Sequence, residues 1–335
     1  MPNSPSAQHV LILAPIRGIT DVVYRDAFAR CFGGFDRAIA PFIKLRQGQA
    51  LRPTELRQVA PEQNRALRTI PQVLTNHAQT FSAALAELHD AGHDEVGWNL
   101  GCPTPMVVGR GRGAGLLSDP GRIDAILAEV LEKAPLRLSV KLRLGVLDPD
   151  EHVAVMEVLN RYPLTEVTLH ARTADQMYHG TSDVTRAEGA LALCRHPFVY
   201  NGDITALRGF RNLLARLPGA AGWMIGRGAL ACPFLPALLR EEPDERRSES
   251  PALPPSEIRR ERLREFHDLL YDGYGRWLSG PGHLLDRMRE QWTYLALSFA
   301  SPQRVNSHIR RCGDLATYAA AVDWVFERAL AEPRP

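Results

Sequence analysis

The stretch EVGWNLGCPTP (residues 95–105) joins a short apolar run to a polar, glycine-containing turn with a Cys-Pro pair. A run of this length, bounded by turn residues, is typical of a buried strand. Because the residue before a proline is pushed toward extended conformations, Cys102 is not expected to continue a helix. The stretch therefore predicts a strand that ends in a turn carrying Cys102.

Seven further β-prone runs recur along the chain, at intervals of roughly 25–40 residues. They are VLILA (10–14), RAIAPF (37–42), IPQVL (70–74), LRLSVKL (136–142), EVTLH (166–170), FVY (198–200) and GWMI (222–225). Between them lie helical patterns such as PGRIDAILAEVLEK (120–133). Eight strand–helix units predict an α/β fold, a (β/α)8 TIM barrel that is complete near residue 243.

A different pattern follows the predicted barrel. The segment EEPDERRSESPALPPSE (241–257) is charged and proline-rich and has no periodicity, which is typical of a linker. Beyond it, large apolar residues recur every three or four positions, as in an amphipathic helix. We therefore expect a TIM-barrel catalytic domain (1–243), a linker (244–256) and a small all-α helical domain (257–335).

Composition excludes several classes of protein. The chain has 335 residues, of which 45% are apolar and 23% charged, as in ordinary globular proteins. Its net charge of +2 does not by itself predict a nucleic-acid partner. Five scattered cysteines without a CxxC pair indicate neither a disulfide framework nor a metal site. With no secretory pattern at its start and no apolar run long enough to span a bilayer, we expect a cytoplasmic protein without a membrane partner.

The predicted strands end in polar, specific sequences: APIRGITD, Gln72, NLGCP, VKLRLG, HART, NGDI and IGRGAL. In a TIM barrel these ends converge on one mouth, where active sites lie. The last two endings predict a phosphate site, since Gly202, Gly226 and Gly228 permit close backbone approach and Arg227 adds a charge. The loop GRGRGA (109–114) borders this mouth, and its Arg110 and Arg112 are either phosphate contacts or solvated charges.

In combination, LAPIRGITD, NLGCP with GRGAGLL behind it, SVKLRLG, HARTADQMYHG, NGDI and IGRGAL resemble the signature of tRNA-dihydrouridine synthases. The resemblance covers nearly the whole chain. It implies an FMN-dependent enzyme that takes hydride from NADPH and reduces the C5–C6 double bond of a uridine in tRNA. The barrel would then bind FMN, and the helical domain would bind tRNA.

The resemblance also implies roles for individual residues. Cys102 would be the catalytic acid that protonates C5 of the uracil. Asn99, Arg172 and Tyr178 would contact the substrate nucleotide after it has been drawn out of its stack. The residues implied in cofactor binding are Ala14, Pro15, Ile16, Gln72, Lys141, His170, Asn201, Gly202, Asp203, Gly226 and Arg227. Lys141 is one of only three lysines in the chain, which fits a point charge near the flavin.

The segment LLDRMREQWTY (284–294) resembles the helical-domain motif of bacterial synthases specific for uridine 16 of the D-loop. This implies that Arg287, Arg289 and Tyr294 face the tRNA, with Arg310 from SHIRR and Lys44 after the second strand as further contacts. We accordingly expect the tRNA D-loop as the partner and no DNA. A monomer is the simplest expected state.

Two alternatives remain open at this point. One is an FMN barrel acting on a free pyrimidine, as in dihydroorotate dehydrogenases, against which the Arg-rich helical tail argues. The other is a non-catalytic tRNA-binding protein that keeps the fold, against which Cys102, Lys141 and the phosphate loops argue.

Overall fold

The computed structural model describes residues 9–241 and 252–331. Ten short strands form one sheet in which every observed pairing is parallel. They are β1 (Val10–Leu13), β2 (Arg37–Ile39), β3 (Ile43–Lys44), β4 (Thr69–Ile70), β5 (Gln72–Leu74), β6 (Glu95–Leu100), β7 (Arg137–Gly145), β8 (Glu166–Thr173), β9 (Phe198–Asn201) and β10 (Gly222–Ile225).

Helices follow the strands around the sheet. They are α1 (Val22–Cys31), α2 (Pro53–Val59), α3 (Ala78–Asp90), α4 (Pro105–Val108), α5 (Pro120–Leu131), α6 (Glu151–Leu159), α7 (Val184–Leu193), α8 (Leu207–Arg216), α9 (Arg227–Ala231) and α10 (Leu235–Glu241). The C-terminal region contains α11 (Ser256–Trp277), α12 (Pro281–Leu295), α13 (Pro302–Arg310) and α14 (Leu315–Phe326). Short 3-10 helices cover Pro61–Gln63, Gly113–Leu116 and Ala296–Ser298.

The sheet closes into a barrel of eight strand positions. Its order is β3-β5-β6-β7-β8-β9-β10-β1-β2-β4, and only Pro71 separates β4 from β5. Proline has no N–H to give to the ladder, so it divides one strand into two short pieces. The predicted strand 37–42 contains β2 only, and β3 follows just beyond its end at 43–44. The predicted (β/α)8 barrel with a helical C-terminal region is confirmed.

Alternation along the strands separates two layers of core. Ile12 and Met224 lie in a small apolar cluster with Ile39, Ile70 and Val199. Their strand neighbours Leu11 and Trp223 belong to the large cluster that includes the surrounding helices. Because successive side chains point to opposite faces of a strand, the first cluster fills the barrel and the second lies outside it.

Aspartate residues cap the N-termini of several helices. The side chains of Asp21, Asp119 and Asp183 accept hydrogen bonds from backbone N–H groups in the first turns of α1, α5 and α7. Asp314 does the same for α14. These caps satisfy donors that have no partner inside the helix, so they fix where each helix starts.

The C-terminal helices share the barrel's core. Phe266 of α11 packs edge-on against Phe32 of α1, with ring centroids 5.1 Å apart. Tyr274 Oη donates to Asp21 Oδ1 at 3.0 Å and accepts from Gln291 Nε2 at 2.8 Å. These hydrogen bonds hold α11 and α12 against the loop after β1.

Most of the predicted linker (244–256), up to residue 251, lies outside the described residues. Its last residue, Ser256, is the first residue of α11. The domain division stays a prediction.

Replacing Gly228 by alanine should destabilise the protein, because the added Cβ would lie 1.9 Å from the carbonyl oxygen of Ile204. Overpacking of this kind costs about 1–3 kcal/mol, or more where the backbone must move. Gly209→Ala is the matched control: its Cβ meets nothing within 4 Å inside α8, so stability should rise by about 0.5–1 kcal/mol. Urea denaturation of both variants measures the difference, and equal midpoints would contradict the packing described around Gly228.

Candidate active site

A cavity of about 490 Å3 opens at the carboxyl ends of the strands. Most of the residues predicted from the sequence line it: Ala14, Pro15, Ile16, Gln72, Asn99, Cys102, Lys141, His170, Arg172, Tyr178, Asn201, Gly202, Asp203, Gly226, Arg227 and Tyr294. Tyr294 comes from α12, so the C-terminal region contributes to the same wall. The structure therefore brings distant parts of the chain to one place.

Asn99 fixes the loop that carries Cys102. Its Oδ1 accepts hydrogen bonds from the backbone N–H of Gly101 at 3.1 Å and of Cys102 at 2.8 Å. Its Nδ2 donates to Gln72 Oε1 at 2.7 Å. Cys102 is 9% exposed, and its Sγ lies 3.4 Å from Thr104 Oγ1. The thiol is thus held at the cavity wall by a chain of hydrogen bonds that starts on β5.

Lys141 lies on β7 and points into the cavity. Its Nζ donates to Asn201 Oδ1 at 2.9 Å, and Asn201 Nδ2 donates to the carbonyl oxygen of Met224 at 2.8 Å. Burial, and then the nearby Arg143 guanidinium, lower the pKa of Lys141 to about 7. A negatively charged ligand beside the amine would favour its protonated form.

His170 lies on the next strand in the ring, β8. Burial, and then the positive charges of Lys141 and Arg143, hold its pKa well below the usual value, so the ring is neutral. His170 Nε2 is 3.2 Å from Arg172 Nη1, a group that can only donate. The neutral ring therefore accepts at Nε2 and carries its proton on Nδ1.

Asp203 organises the turn after β9. Its carboxylate accepts from Arg172, from Arg227 Nη2 at 3.2 Å and from the Ser182 N–H at 2.8 Å. Burial opposes ionisation, but the Ser182 N–H and Arg172 hold the pKa of Asp203 below its usual value. Asp203 has a φ of +43° and Gly202 a φ of +154°. A Cβ at position 202 would approach Ser182 Cβ to 2.8 Å, so the turn requires glycine there.

Arg172 and Tyr178, the two expected nucleotide contacts after β8, both line the cavity but differ in exposure. Arg172 is 1% exposed, and its guanidinium contacts His170, Asp203 and the carbonyl oxygen of Gly180. These contacts hold the loop after β8 against the turn after β9. Tyr178 is 51% exposed at the cavity rim.

Arg143 was missed in the sequence. It is 1% exposed and donates to the carbonyl oxygens of Gly101 at 3.0 Å, Thr173 at 2.8 Å and Met177 at 2.7 Å. Its guanidinium also lies 5.4 Å from the centre of the Tyr178 ring. The segment VKLRLG could have indicated its position. Residues two apart on a strand share a face, so Arg143 lies on the same face as Lys141, which was expected to contact the cofactor.

The remaining predicted tRNA contacts lie outside the cavity. Lys44 at the end of β3 and Arg310 at the end of α13 are both exposed. Arg287 donates to the carbonyl oxygen of Gly18 and forms an ion pair of 3.0 Å with Glu290. Arg289 donates to Asp286 at 2.8 Å and to the carbonyl oxygen of Cys312. Arg287 and Arg289 thus have carbonyl and carboxylate partners within the chain. Arg310 makes longer hydrogen bonds, to Asn306 Oδ1 at 3.3 Å and Thr293 Oγ1 at 3.4 Å, and like Lys44 it is exposed.

The glycine-rich loop 109–114 is tied to the loop after β5. Asn76 Nδ2 donates to the carbonyl oxygens of Arg110 at 3.1 Å and Gly111 at 3.0 Å, and Asn76 Oδ1 accepts from Arg112 Nε at 3.1 Å. Arg112 therefore has a structural contact, while Arg110 is exposed.

Residues 9–241 and 252–331 lack two kinds of feature. In that part of the chain no cluster of three or more His, Cys, Asp or Glu side chains is arranged to hold a metal ion. None of its helices is both long and apolar enough to cross a membrane.

Solved structures with similar folds are flavin barrel enzymes at low sequence identity. An old yellow enzyme homologue from Zymomonas mobilis matches 70% of this chain and 89% of its own, with a TM-score of 0.53 and 12% identity. Morphinone reductase matches 71% and 88%, with a TM-score of 0.50 and 12% identity. These likenesses support the barrel fold.

Sequence relatives are more specific. A probable tRNA-dihydrouridine synthase of Rhodobacter capsulatus is 28% identical over 94% of this chain and 94% of its own. The tRNA-dihydrouridine(16) synthase of Ralstonia nicotianae is 29% identical over 69% of this chain and 72% of its own. The family model for dihydrouridine synthases matches residues 12–276. The chain therefore belongs to the dihydrouridine synthase family and is a flavin-dependent oxidoreductase.

Proposed function

We propose that this protein is an FMN-dependent tRNA-dihydrouridine synthase that uses NADPH to reduce uridine 16 in the D-loop. The observation that carries the proposal is that Cys102 from the loop after β6, Lys141 from β7 and His170 from β8 meet in one cavity with the turns at 201–203 and 226–228. The expected location is the cytoplasm and the expected state a monomer.

The cavity suits a flavin with a single phosphate. A Cβ at Gly226 would lie 3.3 Å from Ala14 Cβ and from Ile16 Cδ1, so Gly226 passes close to an apolar wall against which a planar ring would pack. Lys141, His170 and Asn201 would contact the ring and the ribityl chain. The turn at 202–203 and Arg227 would hold the phosphate, with charge-assisted hydrogen bonds from the guanidinium. When bound, FMN would supply the hydride for reduction of the substrate.

Cys102 would supply the matching proton. Saturating the C5–C6 bond of uracil adds a hydride at C6 and a proton at C5, so an acid must stand on the substrate side of the cavity. The Cys102 thiol lines the wall there, and Asn99 fixes its loop through two backbone N–H groups. Asn99 is therefore a positioning residue, while one hydrogen of its Nδ2 remains available to the base.

The tRNA would approach over the rim. A uridine has to leave its stack to reach this depth, and Tyr178 offers an exposed aromatic face beside Arg143 and Arg227. Tyr294 would contact the nucleotide from the C-terminal side. Lys44 and Arg310 would bind backbone phosphates, which orient the tRNA without reading its sequence. Arg287 and Arg289 would act by holding the loops at Gly18 and Cys312.

The target position rests on the relatives named for uridine 16. Those from Ralstonia nicotianae and Escherichia coli O157:H7 are each 29% identical and each cover 69% of this chain. About three tenths of the chain lies outside these alignments, so the target position needs its own test.

Replacing Cys102 by alanine should leave flavin reduction by NADPH intact and abolish dihydrouridine formation. The thiol is needed only for protonation of C5, and loss of a general acid lowers a rate by roughly 100-fold or more. Single-turnover formation of dihydrouridine, followed by mass spectrometry, measures this. Cys194→Ala is the control, because Cys194 ends α7 away from the cavity. Wild-type rates in Cys102→Ala would assign the acid to another residue.

Replacing Lys141 by methionine should weaken FMN binding and change the pH dependence of apoprotein stability. Between its folded pKa of about 7 and its ordinary value of 10.5, the lysine binds more protons in the unfolded state. The free energy of unfolding of the wild-type apoprotein should therefore rise with pH across this window. Lys141→Met has no titrating amine at this position, so its free energy of unfolding should lack this rise. Urea denaturation at several pH values compares the two. Parallel pH profiles would show that the amine is not perturbed.

Unmodified tRNA treated with the enzyme and NADPH should gain dihydrouridine at position 16. Arg310→Glu should weaken tRNA binding in a salt-dependent way, because it replaces a phosphate contact by a repulsive charge, and should leave NADPH oxidation unchanged. Arg264→Glu on α11 is the control, because Arg264 pairs with Asp323 of α14 and does not line the active-site cavity. Modification at another position, or turnover of a free pyrimidine without tRNA, would refute the assignment.

A further inference from the structure

A second cavity of about 600 Å3 adjoins the active-site cavity. It lies between the start of α8, the connection from α9 to α10, and the C-terminal residues 297–300 and 330–331. Thr205, Ala231 and Leu297 line both cavities. The two cavities therefore lie side by side, and a ligand in the second cavity would lie next to the proposed flavin site.

The lining of this cavity combines two kinds of residue. It is mostly apolar and includes Phe234, Leu238 and Phe299. It also includes the arginines Arg208 and Arg259. Volumes of this order and a mostly apolar lining with a few polar groups are typical of small-molecule sites. An aromatic ring joined to an anionic group would match both kinds of residue.

Two buried polar atoms belong to residues of the same lining. Ser298 Oγ and Arg259 Nε have no hydrogen-bond partner among the described residues, although both atoms are inaccessible to solvent. Native proteins leave few such groups unpaired, because desolvation without a partner costs free energy. Both side chains line the cavity, so a ligand toward which either side chain turned would give its unpaired group a partner.

We propose that this cavity binds the adenosine 2′-phosphate end of NADPH while the nicotinamide reaches the active-site cavity. The inference rests on the proposed function, which supplies NADPH as the electron donor. The base would pack against the apolar residues, and Arg208 would bind the 2′-phosphate that distinguishes NADPH from NADH. The adjoining position of the two cavities permits one dinucleotide to occupy both.

The test is the reductive half-reaction of the FMN holoenzyme without tRNA, with 2′,5′-ADP as the probe. Bleaching of the flavin by NADPH should be inhibited competitively by 2′,5′-ADP and much less by 5′-AMP. Equal inhibition by both compounds would overturn the assignment, because it would indicate a general adenylate site such as the second half of a dinucleotide flavin. No inhibition by 2′,5′-ADP would overturn it as well.

Two variants locate the effect. Arg208→Ala should raise the apparent Kd for NADPH by roughly ten- to a hundredfold, with the limiting rate of bleaching unchanged. Ser298→Ala should raise it by a smaller factor and leave stability unchanged, since the hydroxyl has no partner in the free protein. Arg216→Ala is the control, because Arg216 lies at the other end of α8 and pairs with Glu188 at 2.6 Å. An equal change in Arg216→Ala, or no change in Arg208→Ala, would place the dinucleotide elsewhere.

Dithionite separates this inference from the proposed function. If dithionite-reduced enzyme forms dihydrouridine in tRNA but 2′,5′-ADP does not compete with NADPH, the cavity assignment is wrong and the function stands. If neither reductant yields dihydrouridine, the proposed function itself fails.

Discussion

Parallel pairing between β1 and β10, in which Val10 lies opposite Gly222, completes the ring of strands on which the active site depends. Closure forces every carboxyl end toward one mouth, so the loops after β6, β7 and β9 meet although the chain separates them widely. The hydrogen bond from Lys141 to Asn201 spans two such ends. Helices α11 and α12 then pack on the loop after β1 through Tyr274 and Gln291 and add Tyr294 to the wall.

Positive charge concentrated beside the cavity is the second constraint. Arg143 and Arg172 are each 1% exposed, and Lys141 lies on β7 with Arg143, next to the strand that carries Arg172. Asp203 compensates part of this charge, and the neutral state of His170 avoids adding to it. The depressed pKa of Lys141 reflects its burial first and then the nearby charge of Arg143. A site built in this way favours anionic ligands, which agrees with a phosphate-bearing flavin and a nucleic-acid substrate.

Local patterns in the sequence predicted the eight strand regions and the polar turns that end them, because both depend on neighbours along the chain. Contacts between distant residues were harder to predict. The spacing of Lys141 and Arg143 could have placed both on one face, but the three carbonyl oxygens around Arg143 come from segments that only the fold brings together. Arg172, Arg287 and Arg289 resemble surface charges in the sequence, yet long-range partners hold each of them. The second cavity arises where the barrel meets the C-terminal helices, so no single segment could reveal it.

The central claim is that one cavity holds the flavin and receives a tRNA uridine beside Cys102. Anaerobic mixing of the reduced holoenzyme with tRNA tests this most directly, with reoxidation of the flavin followed by its visible absorbance. Unmodified tRNA should reoxidise the flavin rapidly, while tRNA that already carries dihydrouridine at the target position should leave it reduced. Equal reoxidation by both tRNAs, or none by either, would contradict the account.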